Sequence, residues 1–420
     1  MSRGIQAPKG TFDILAEDAA RRAQLEQTAH KIFSRAGYHR IETPIFESTD
    51  LFARGVGAAT DIVQKEMYSF DDGGGRSLTL RPEATAAVAR AYIEHGMHKL
   101  PQPVKYWYLG PFFRAEQPQK GRYRQFWQVG AEAIGAAGPE TDAELIVLMA
   151  EYLEAMGVSH RKLLLASLGN PETRVEYRAE LTAYLHAHSG QLSEEVRGRI
   201  ELNPMRAFDS SDPGTIKVME GAPKLLDRLA TEDHEHFEAV KGLLDAAGID
   251  YVLDPTLVRG LDYYSRTLWE FTSDALGAQS ALGGGGRYDR LIEQLGGQPT
   301  PGVGFASGVE RVLMAGGPPP TAAEVVDLLV VVTEREHQAN LEAGFKLARE
   351  ARSAGLAAQL ELTGRSLKSA IKHADRIGAR YLAILNDVEQ TSLKDMDSGE
   401  QQELATGTVI PEILRGSRLV

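Results

Sequence analysis

Apolar runs alternate with amphipathic segments over the last quarter of the chain. Residues 325–332 form a β-branched apolar run that predicts a buried strand. Helices are predicted over residues 334–354, ending before Gly355, and over residues 366–377, where five apolar side chains share one face. Further strands are predicted over residues 356–362, 379–385 and 404–410. This alternation predicts an α/β domain over residues 325–420, with a small parallel or mixed sheet covered by helices.

The first three quarters of the chain show a different pattern. A helix is predicted over residues 19–36, ending at Gly37. Strands are predicted over residues 40–44, 77–81, 104–113, 125–132, 267–272 and 279–283. Many connections are short and rich in glycine, which favours an α+β domain over residues 1–320 with a mostly antiparallel sheet. A charged, helical section at about 169–249 is predicted as an insertion, and the Pro/Gly-rich residues 315–324 as a linker.

Composition narrows the classes of function. The chain has 420 residues, enough for two or three domains, and a net charge of −12 excludes a general basic field that would attract nucleic acid. Any RNA contact must therefore come from local patches. The absence of cysteine excludes disulfides and thiolate metal sites. Because neither a secretory signal nor an apolar run of about 18 residues is recognised, we expect a cytoplasmic protein without membrane association.

The segment 106–132 combines aromatic rings with charge. Eight aromatic side chains stand between residues 106 and 127. Charged side chains are interleaved with them or follow, at Arg114, Glu116, Lys120, Arg122, Arg124 and Glu132. Aromatic faces suit flat rings and guanidinium groups suit phosphates, so this segment predicts a nucleotide site. A strand hairpin with core aromatics and solvated arginines is the alternative.

The familiar phosphate-binding loops do not fit this chain. No glycine is followed directly by lysine, which excludes a P-loop. The glycine run 283–286 lacks the spacing and the context of a dinucleotide-binding loop, and it suits either a flexible turn or a strand that a ligand approaches closely. If a nucleotide binds, arginines and a metal ion must hold its phosphates. His234 and His236 stand among acids predicted to lie on the surface and give no convincing metal pattern.

Two further clusters favour a small polar ligand. In residues 259–264 (RGLDYY), the tyrosine hydroxyls and the acid can hydrogen-bond an amine or an imidazole, although a strand start with core tyrosines is equally open. In residues 81–85 (RPEAT), Glu83 is predicted in the first turn of a helix. An acid is favourable there for the helix dipole, or it binds an ammonium group together with Thr85.

Two arginine-containing segments predict contacts with phosphate. Residues 302–311 (GVGFASGVER) lead into a helix that carries Arg311 on its first turns, where it either reaches a phosphate or is solvated. Near the C-terminus, four basic residues recur at spacings of three, four and four, at Arg365, Lys368, Lys372 and Arg376. On a helix they would form a stripe that contacts an RNA backbone or simply faces solvent. The part after residue 320 carries 12 Lys and Arg against 15 Asp and Glu, so the stripe would be local.

Taken in order, these segments resemble the histidyl-tRNA synthetases, a family of class II aminoacyl-tRNA synthetases, over nearly the whole chain. Residues 37–52, with Pro44 at their centre, resemble class II motif 1, which builds the dimer interface of the family. Residues 113–132 resemble motif 2 and residues 302–311 motif 3. Residues 257–271 resemble the histidine-specific signature. The domain after residue 325 resembles the anticodon-binding domain of the family.

This resemblance implies ligation of histidine to its tRNA by a homodimer, with ATP as substrate and Mg²⁺ at the phosphates. It assigns the α-phosphate and the carboxylate to Arg114, and the charge developing at the α-phosphate to Arg259. The family positions for the rest of ATP correspond to Glu116 (adenine amino group), Phe126 (adenine ring), Arg122 and Arg311 (phosphate tail). Those for histidine correspond to Glu83 and Thr85 (ammonium), Gln128 (carboxylate side), Glu132, Tyr263 and Tyr264 (imidazole).

Some positions depart from the family pattern. They are Ala58, Ala84, Ala115, Gln117 and Ser265, none of which removes a catalytic group, although Gln117 puts an acceptor-stem contact in doubt. Two alternatives remain: a non-catalytic regulatory subunit of ATP phosphoribosyltransferase, and another class II synthetase that shares the C-terminal domain. The regulatory subunits usually lack the anticodon-binding domain and degrade the arginine and tyrosine signatures. Residues 259–264 argue against a different synthetase.

Overall fold

The computed structural model of the chain describes residues 4–57, 60–257, 259–277, 280–317 and 326–417. The chain divides into two compact units, residues 1–317 and 318–420. The predicted linker, residues 315–324, therefore lies outside the described residues from residue 318 onward. The same holds for Ala58, for Gln279 at the start of a predicted strand, and for the first residue of the strand predicted over 325–332.

The first unit combines eleven strands and ten α-helices within its described residues. The strands are β1 (His39–Arg40), β2 (Phe46–Ser48), β3 (Tyr68–Asp71), β4 (Ser77–Leu80), β5 (Val104–Phe113), β6 (Gln125–Ile134), β7 (Lys162–Ser167), β8 (Val252–Leu253), β9 (Ser265–Thr272), β10 (Ala281–Arg287) and β11 (Gly302–Gly308). The helices are α1 (Ala16–Arg35), α2 (Thr49–Gly55), α3 (Thr85–Glu94), α4 (Pro139–Ala155), α5 (Pro171–Ala187), α6 (Glu194–Arg197), α7 (Pro213–Glu220), α8 (Thr231–Ala246), α9 (Leu291–Gln294) and α10 (Val309–Ala315).

The main sheet of this unit has eight strands in the order β1-β5-β6-β11-β10-β9-β7-β8. Its six central strands are antiparallel to their neighbours, and only the edge pairs β1–β5 and β7–β8 are parallel. β2, β4 and β3 form a separate small antiparallel sheet. The predicted α+β organisation with a mostly antiparallel sheet is therefore confirmed.

Alternation along β5 and β6 separates two apolar layers on the two faces of the main sheet. Trp107 packs in one buried cluster with Phe33 of α1 and Tyr152 of α4, whereas its neighbour Tyr108 belongs to the other cluster, with Tyr288. Successive side chains of a strand point to opposite faces, so the two clusters lie on opposite sides of the sheet, and the one that contains Tyr108 also includes residues of α3 and α5. β5 and β6 pair along their full length, from Val104–Ile134 to Phe113–Gln125.

Some predicted elements of this unit differ from the observed ones. The strand predicted over residues 40–44 is only β1, which ends at Arg40, because the chain soon reaches Pro44, which lacks an N–H for strand pairing. The strand predicted over 104–113 has the bounds of β5. α1 ends at Arg35, two residues before Gly37, whose φ of +81° breaks the helix.

Helices α5 to α8 lie between β7 and β8, in the section predicted as a helical insertion. Polar caps start three of them: Asn170 accepts a hydrogen bond from the Thr173 amide at 2.8 Å, Ser193 accepts one from the Val196 amide at 3.3 Å, and Asp212 accepts one from the Thr215 amide at 2.8 Å. Short 3₁₀ turns connect these helices, among them Pro204–Asp209. This section therefore packs locally through helices and caps.

The second unit contains β12 (Val326–Val332), α11 (Gln338–Ser353), β13 (Ala358–Leu360), α12 (Leu367–Arg376), β14 (Ala379–Leu385), β15 (Gln390–Asp395), β16 (Gln401–Ala405) and α13 (Val409–Ser417). Its sheet has the order β13-β12-β14-β15-β16, parallel across the first three strands and antiparallel across the rest. The predicted α/β domain with a mixed sheet is confirmed.

The end of this unit was predicted wrongly. A strand was expected over residues 404–410, but β16 ends at Ala405 and α13 begins at Val409. The apolar residues Val409 and Ile413 recur at a spacing of four and are both buried, which is the pattern of a helix packed on the core. β15 was not predicted at all, because its sequence QTSLKD is mostly polar.

Candidate functional site

A pocket of about 390 Å³ opens on the main sheet at β6, β10 and β11 and at the loop that joins β5 to β6. It brings together seven of the side chains singled out in the sequence, namely Arg114, Glu116, Arg122, Phe126, Gln128, Arg259 and Arg311. These residues are scattered over nearly 200 positions. The sheet is what gathers them.

Positive charge dominates one wall of this pocket. The Arg311 guanidinium is held by two carbonyl groups: its Nε donates to Gly121 at 2.8 Å and its Nη1 to Ala281 at 2.9 Å. Burial lowers the pKa of Arg311, and the charges of Arg122 and Arg114 act in the same direction. These positively charged guanidinium groups repel one another. A polyanion such as a nucleoside triphosphate would relieve that repulsion, so this wall favours such a ligand.

Acids lie within ion-pair distance of several of the pocket's arginines, among them Arg206, whose Nη2 lies 3.1 Å from Asp61 Oδ2. Arg122 forms an ion pair with Glu116, and Arg259 forms one with Glu270. Arg114 lies 3.8 Å from Glu116 and donates from Nε to the Pro82 carbonyl at 3.0 Å. A bound phosphate would therefore compete with carboxylates for these arginines.

Phe126 supplies the flat apolar surface of the pocket. Its ring packs against Phe112 at 6.2 Å, and the Arg114 guanidinium lies 5.3 Å from its centroid. Gln128 follows on the same face of β6, and its side-chain Oε1 is buried with no hydrogen-bond partner among the described residues. A buried carbonyl left unpaired is costly, so this position favours a donor supplied by a ligand.

Glu132, four residues further along the same face of β6, is completely buried. Thr85 Oγ1 donates to its Oε1 at 2.8 Å, and Tyr288 OH donates to its Oε2 at 2.7 Å. Tyr108 OH lies 3.3 Å from Oε1. The pKa of Glu132 is raised to about 8, because the effect of burial exceeds the lowering by the hydroxyl donors. A Cβ on Gly304 would stand 1.6 Å from Glu132 Oε2, so this strand position must be glycine.

Glu83 was predicted in the first turn of a helix, but it lies two residues before α3, which begins at Thr85. Its carboxylate accepts hydrogen bonds from the amides of Thr85 at 2.7 Å and Ala86 at 3.0 Å, so it caps the helix. Tyr263 OH lies 3.4 Å from its Oε2, and the Tyr263 and Tyr264 rings meet at 4.7 Å. Burial raises the pKa of Glu83.

The sequence reasoning missed Tyr288 and Tyr108, which complete the surroundings of Glu132. Tyr288 directly follows β10, whose glycine run had drawn attention for a different reason. The sequence feature that could have drawn attention to Tyr288 is its position between two charged residues, Arg287 and Asp289. Tyr108 sits on β5 among the aromatics already noted, and only the pairing of β5 with β6 shows which rings face Glu132.

His236 was predicted to lie among surface acids. It is buried instead, and its Nε2 lies 3.5 Å from Asp142 Oδ1. Asp142 also binds the fully buried Arg287, whose Nη1 and Nη2 donate to the carbonyls of Ala136 and Gly138 at 3.0 Å each. α8 packs on α4, which turns His236 inward. Within the described residues, no group of three or more His, Asp or Glu side chains is arranged to hold a metal ion.

Three of the four predicted basic residues lie on α12, at Lys368, Lys372 and Arg376, and all three are exposed. Arg365 does not share the helix, because α12 begins at Leu367. Its Nη1 binds Glu361 Oε1 at 2.7 Å instead. The predicted stripe is therefore one residue shorter than expected.

The chain is similar to known proteins over nearly its whole length. Residues 10–312 match the family model described as histidyl-tRNA synthetase, and residues 327–415 match that of the anticodon-binding domain. The chain is 44% identical to the histidine–tRNA ligase of Halothermothrix orenii, covering 97% of this chain and 99% of the relative. It is 48% identical to that of Anaeromyxobacter dehalogenans, covering 96% and 97%.

Among solved structures, the apo histidyl-tRNA synthetase of S. aureus is similar with a TM-score of 0.80 and 36% identity, covering 98% of this chain and all of that one. The chain thus has a class II synthetase catalytic fold followed by an anticodon-binding domain. It belongs to the histidyl-tRNA synthetase family. The predicted family is confirmed, and the match to the anticodon-binding domain argues against the regulatory-subunit alternative.

Proposed function

We propose that this protein is a histidine–tRNA ligase, which activates histidine with ATP and transfers it to the 3′ end of histidine tRNA. The observation that carries the proposal lies on one face of β6. There Phe126 and Gln128 face the arginine-lined pocket, and Glu132 meets the buried tyrosines. A nucleotide subsite and a subsite for a small polar side chain therefore adjoin on one strand.

In the first step, the histidine carboxylate attacks the α-phosphate of ATP and pyrophosphate leaves. This displacement needs alignment and stabilisation of charge, and no nucleophile from the protein. Arg114 holds the α-phosphate and the carboxylate, and Arg259 stabilises the developing charge. Arg122 and Arg311 hold the phosphate tail once Arg122 has exchanged Glu116 for a phosphate.

Glu116 is then free to accept from the adenine amino group, and Phe126 supports the ring. In the histidine subsite, Glu83 and Thr85 take the ammonium group, and Gln128 lies on the carboxylate side. Glu132, Tyr263 and Tyr264 recognise the imidazole. An apolar amino acid would leave these buried polar groups unpaired, which supports discrimination by a factor of about 10⁴ or more.

Mg²⁺ fits this pocket as a companion of the nucleotide. Glu270 and Glu310 both line the pocket, but each is engaged by an arginine, Arg259 and Arg22 respectively. Mg²⁺ is usually held by one or two carboxylates together with substrate phosphates rather than by a cage of protein ligands. When bound, the ion would neutralise charge on the phosphates.

We further propose that the chain acts as a homodimer in the cytoplasm. Support for a dimer comes from the motif 1-like segment and β3, where Ile45, Phe46 and Phe70 are about half exposed. Apolar side chains grouped in this way mark interaction surfaces. None of the described helices is long and apolar enough to cross a membrane.

The decisive experiment is ATP–pyrophosphate exchange with purified protein. We expect exchange that depends on histidine, followed by charging of histidine tRNA. If folded protein shows exchange only at the background level, the proposal that it activates histidine is refuted. Equal stimulation by threonine or proline would remove the specificity.

Transfer to tRNA has a separate test in α12. Replacement of Lys368 and Lys372 by glutamate should weaken charging at low tRNA concentration and leave histidine-dependent exchange unchanged, because the residues that line the ATP pocket belong to the first unit. Lys346→Glu on α11, another exposed lysine of the same unit, is the matched control. Equal effects of both changes would refute a specific role of α12.

A further inference from the structure

The N-terminal residues 8–12, here called the strap, contact the loop that joins β5 to β6. The strap is folded by two hydrogen bonds to the Pro8 carbonyl, from Thr11 N at 3.0 Å and from Thr11 Oγ1 at 2.8 Å. Its Gly10 carbonyl accepts from the Arg124 amide at 2.8 Å. The strap therefore pairs with the loop through backbone as well as side-chain contacts.

Arg124 connects the strap to two residues of the ATP pocket. Its carbonyl accepts from the Arg114 amide at 3.0 Å, and its Nε donates to the Glu116 carbonyl at 3.1 Å. Gly10 makes this approach possible. Its φ is +89°, and a Cβ there would lie 2.8 Å from both Arg124 Cγ and Pro118 Cγ.

Phe12 makes the second connection. Its ring meets that of Tyr123, which lines the pocket, at 4.8 Å. On its other side, the Arg22 guanidinium of α1 lies 5.8 Å from the ring centroid. Arg22 Nη2 in turn binds Glu310 Oε1 at 2.6 Å, next to Arg311. The strap thus links the loop, on one side of the pocket, to the start of α10 on the other.

We propose that the strap is a positioning element for ATP, with Phe12 and Gly10 as its key residues. None of residues 8–12 lines the pocket, so the strap acts through Arg124 and Tyr123. Within itself the loop is held by the Gln119–Arg122 bridge and by the hydrogen bonds of Arg124 to Arg114 and Glu116, and the strap adds contacts to Arg124 and Tyr123 from outside the loop. Fixing the loop in advance reduces the ordering that ATP binding requires. This inference rests on the proposed use of ATP.

The test is Phe12→Ala in the full-length protein, measured by ATP–pyrophosphate exchange. The expected result is a KM for ATP that rises about two- to tenfold, the range of a lost aromatic pair. The KM for histidine should stay within about twofold. Phe12→Tyr should restore the wild-type value. Phe345→Ala, an exposed phenylalanine of the second unit, is the control and should change neither constant.

A second readout does not depend on catalysis. Trypsin can cut the loop after Lys120, Arg122 and Arg124, and Phe12→Ala and Gly10→Ala should both accelerate these cuts while the melting temperature falls little. An unchanged KM for ATP, or equal rises in both KM values with unchanged loop cleavage, would overturn the proposal. If wild-type protein shows no exchange, the proposed ligase activity is refuted. The rate of loop cleavage in Phe12→Ala and Gly10→Ala then still tests whether the strap holds the loop.

Discussion

Tyr288→Phe removes one hydroxyl from the most deeply buried part of the site. That hydroxyl donates a hydrogen bond to Glu132 Oε2 at 2.7 Å. The hydroxyls of Thr85 and Tyr108 donate to the other carboxylate oxygen, Oε1. The pKa of Glu132 is about 8, because burial raises it while the Tyr288 hydrogen bond acts in the opposite direction. Without it the pKa rises further, so that at neutral pH less of the carboxylate is available to accept from an imidazole N–H.

A hydrogen bond to a charged group contributes about 1.5–3 kcal/mol, which corresponds to a factor of about 10 to 100. We therefore expect kcat/KM for histidine in pyrophosphate exchange to fall by this factor. The KM for ATP should stay within about twofold, because Tyr288 does not line the ATP pocket. The loss should shrink as the pH is raised above 8, because more of Glu132 ionises.

Tyr152→Phe is the matched control. Tyr152 is equally buried, but its hydroxyl has no partner among the described residues, and it lies in the apolar layer on the other face of the sheet. It should retain wild-type histidine kinetics. An unchanged kcat/KM for histidine in folded Tyr288→Phe protein, or the same loss in both variants, would refute the reasoning.

Three further predictions concern charge. Arg259→Ala should lower kcat for exchange by about 10²- to 10³-fold and change the histidine KM much less, because it stabilises charge that develops only during reaction; a variant as active as wild type would contradict its role. Asp142→Asn should reduce the free energy of unfolding in urea by about 3–5 kcal/mol, because it leaves the buried Arg287 without its anion; an unchanged midpoint would contradict this. Since the folded-state pKa of Glu132 is raised to about 8, its contribution to stability is full below about pH 4.5 and is lost as the pH rises through 8. Glu132→Gln should therefore gain stability relative to wild type between pH 5 and 8.5, and parallel pH profiles would show that Glu132 does not titrate in this range.

The strands and helices with clear apolar patterns were predictable, as β5, β14 and α11 illustrate. Local patterns failed where tertiary packing decided the outcome. His236 stands in a run of acids and is nevertheless buried against Asp142. Glu83 was predicted in the first turn of a helix, but it precedes α3 and its side chain caps that helix. Arg365 has the spacing of a helical stripe, yet it precedes α12 and pairs with Glu361.

The sequence by itself determined the kind of chemistry and the family. The types and spacing of its arginines, aromatic rings and two tyrosines indicate the ligands before any tertiary contact is known. This is possible because few side-chain types bind phosphates and flat rings. Only the tertiary structure decided which groups act together. Tyr288 reaches Glu132 across 156 positions of sequence, and Gly10 reaches Arg124 across more than 100. Such contacts depend on strand register and on space left by single glycines, and these are properties of the packed sheet rather than of any local segment.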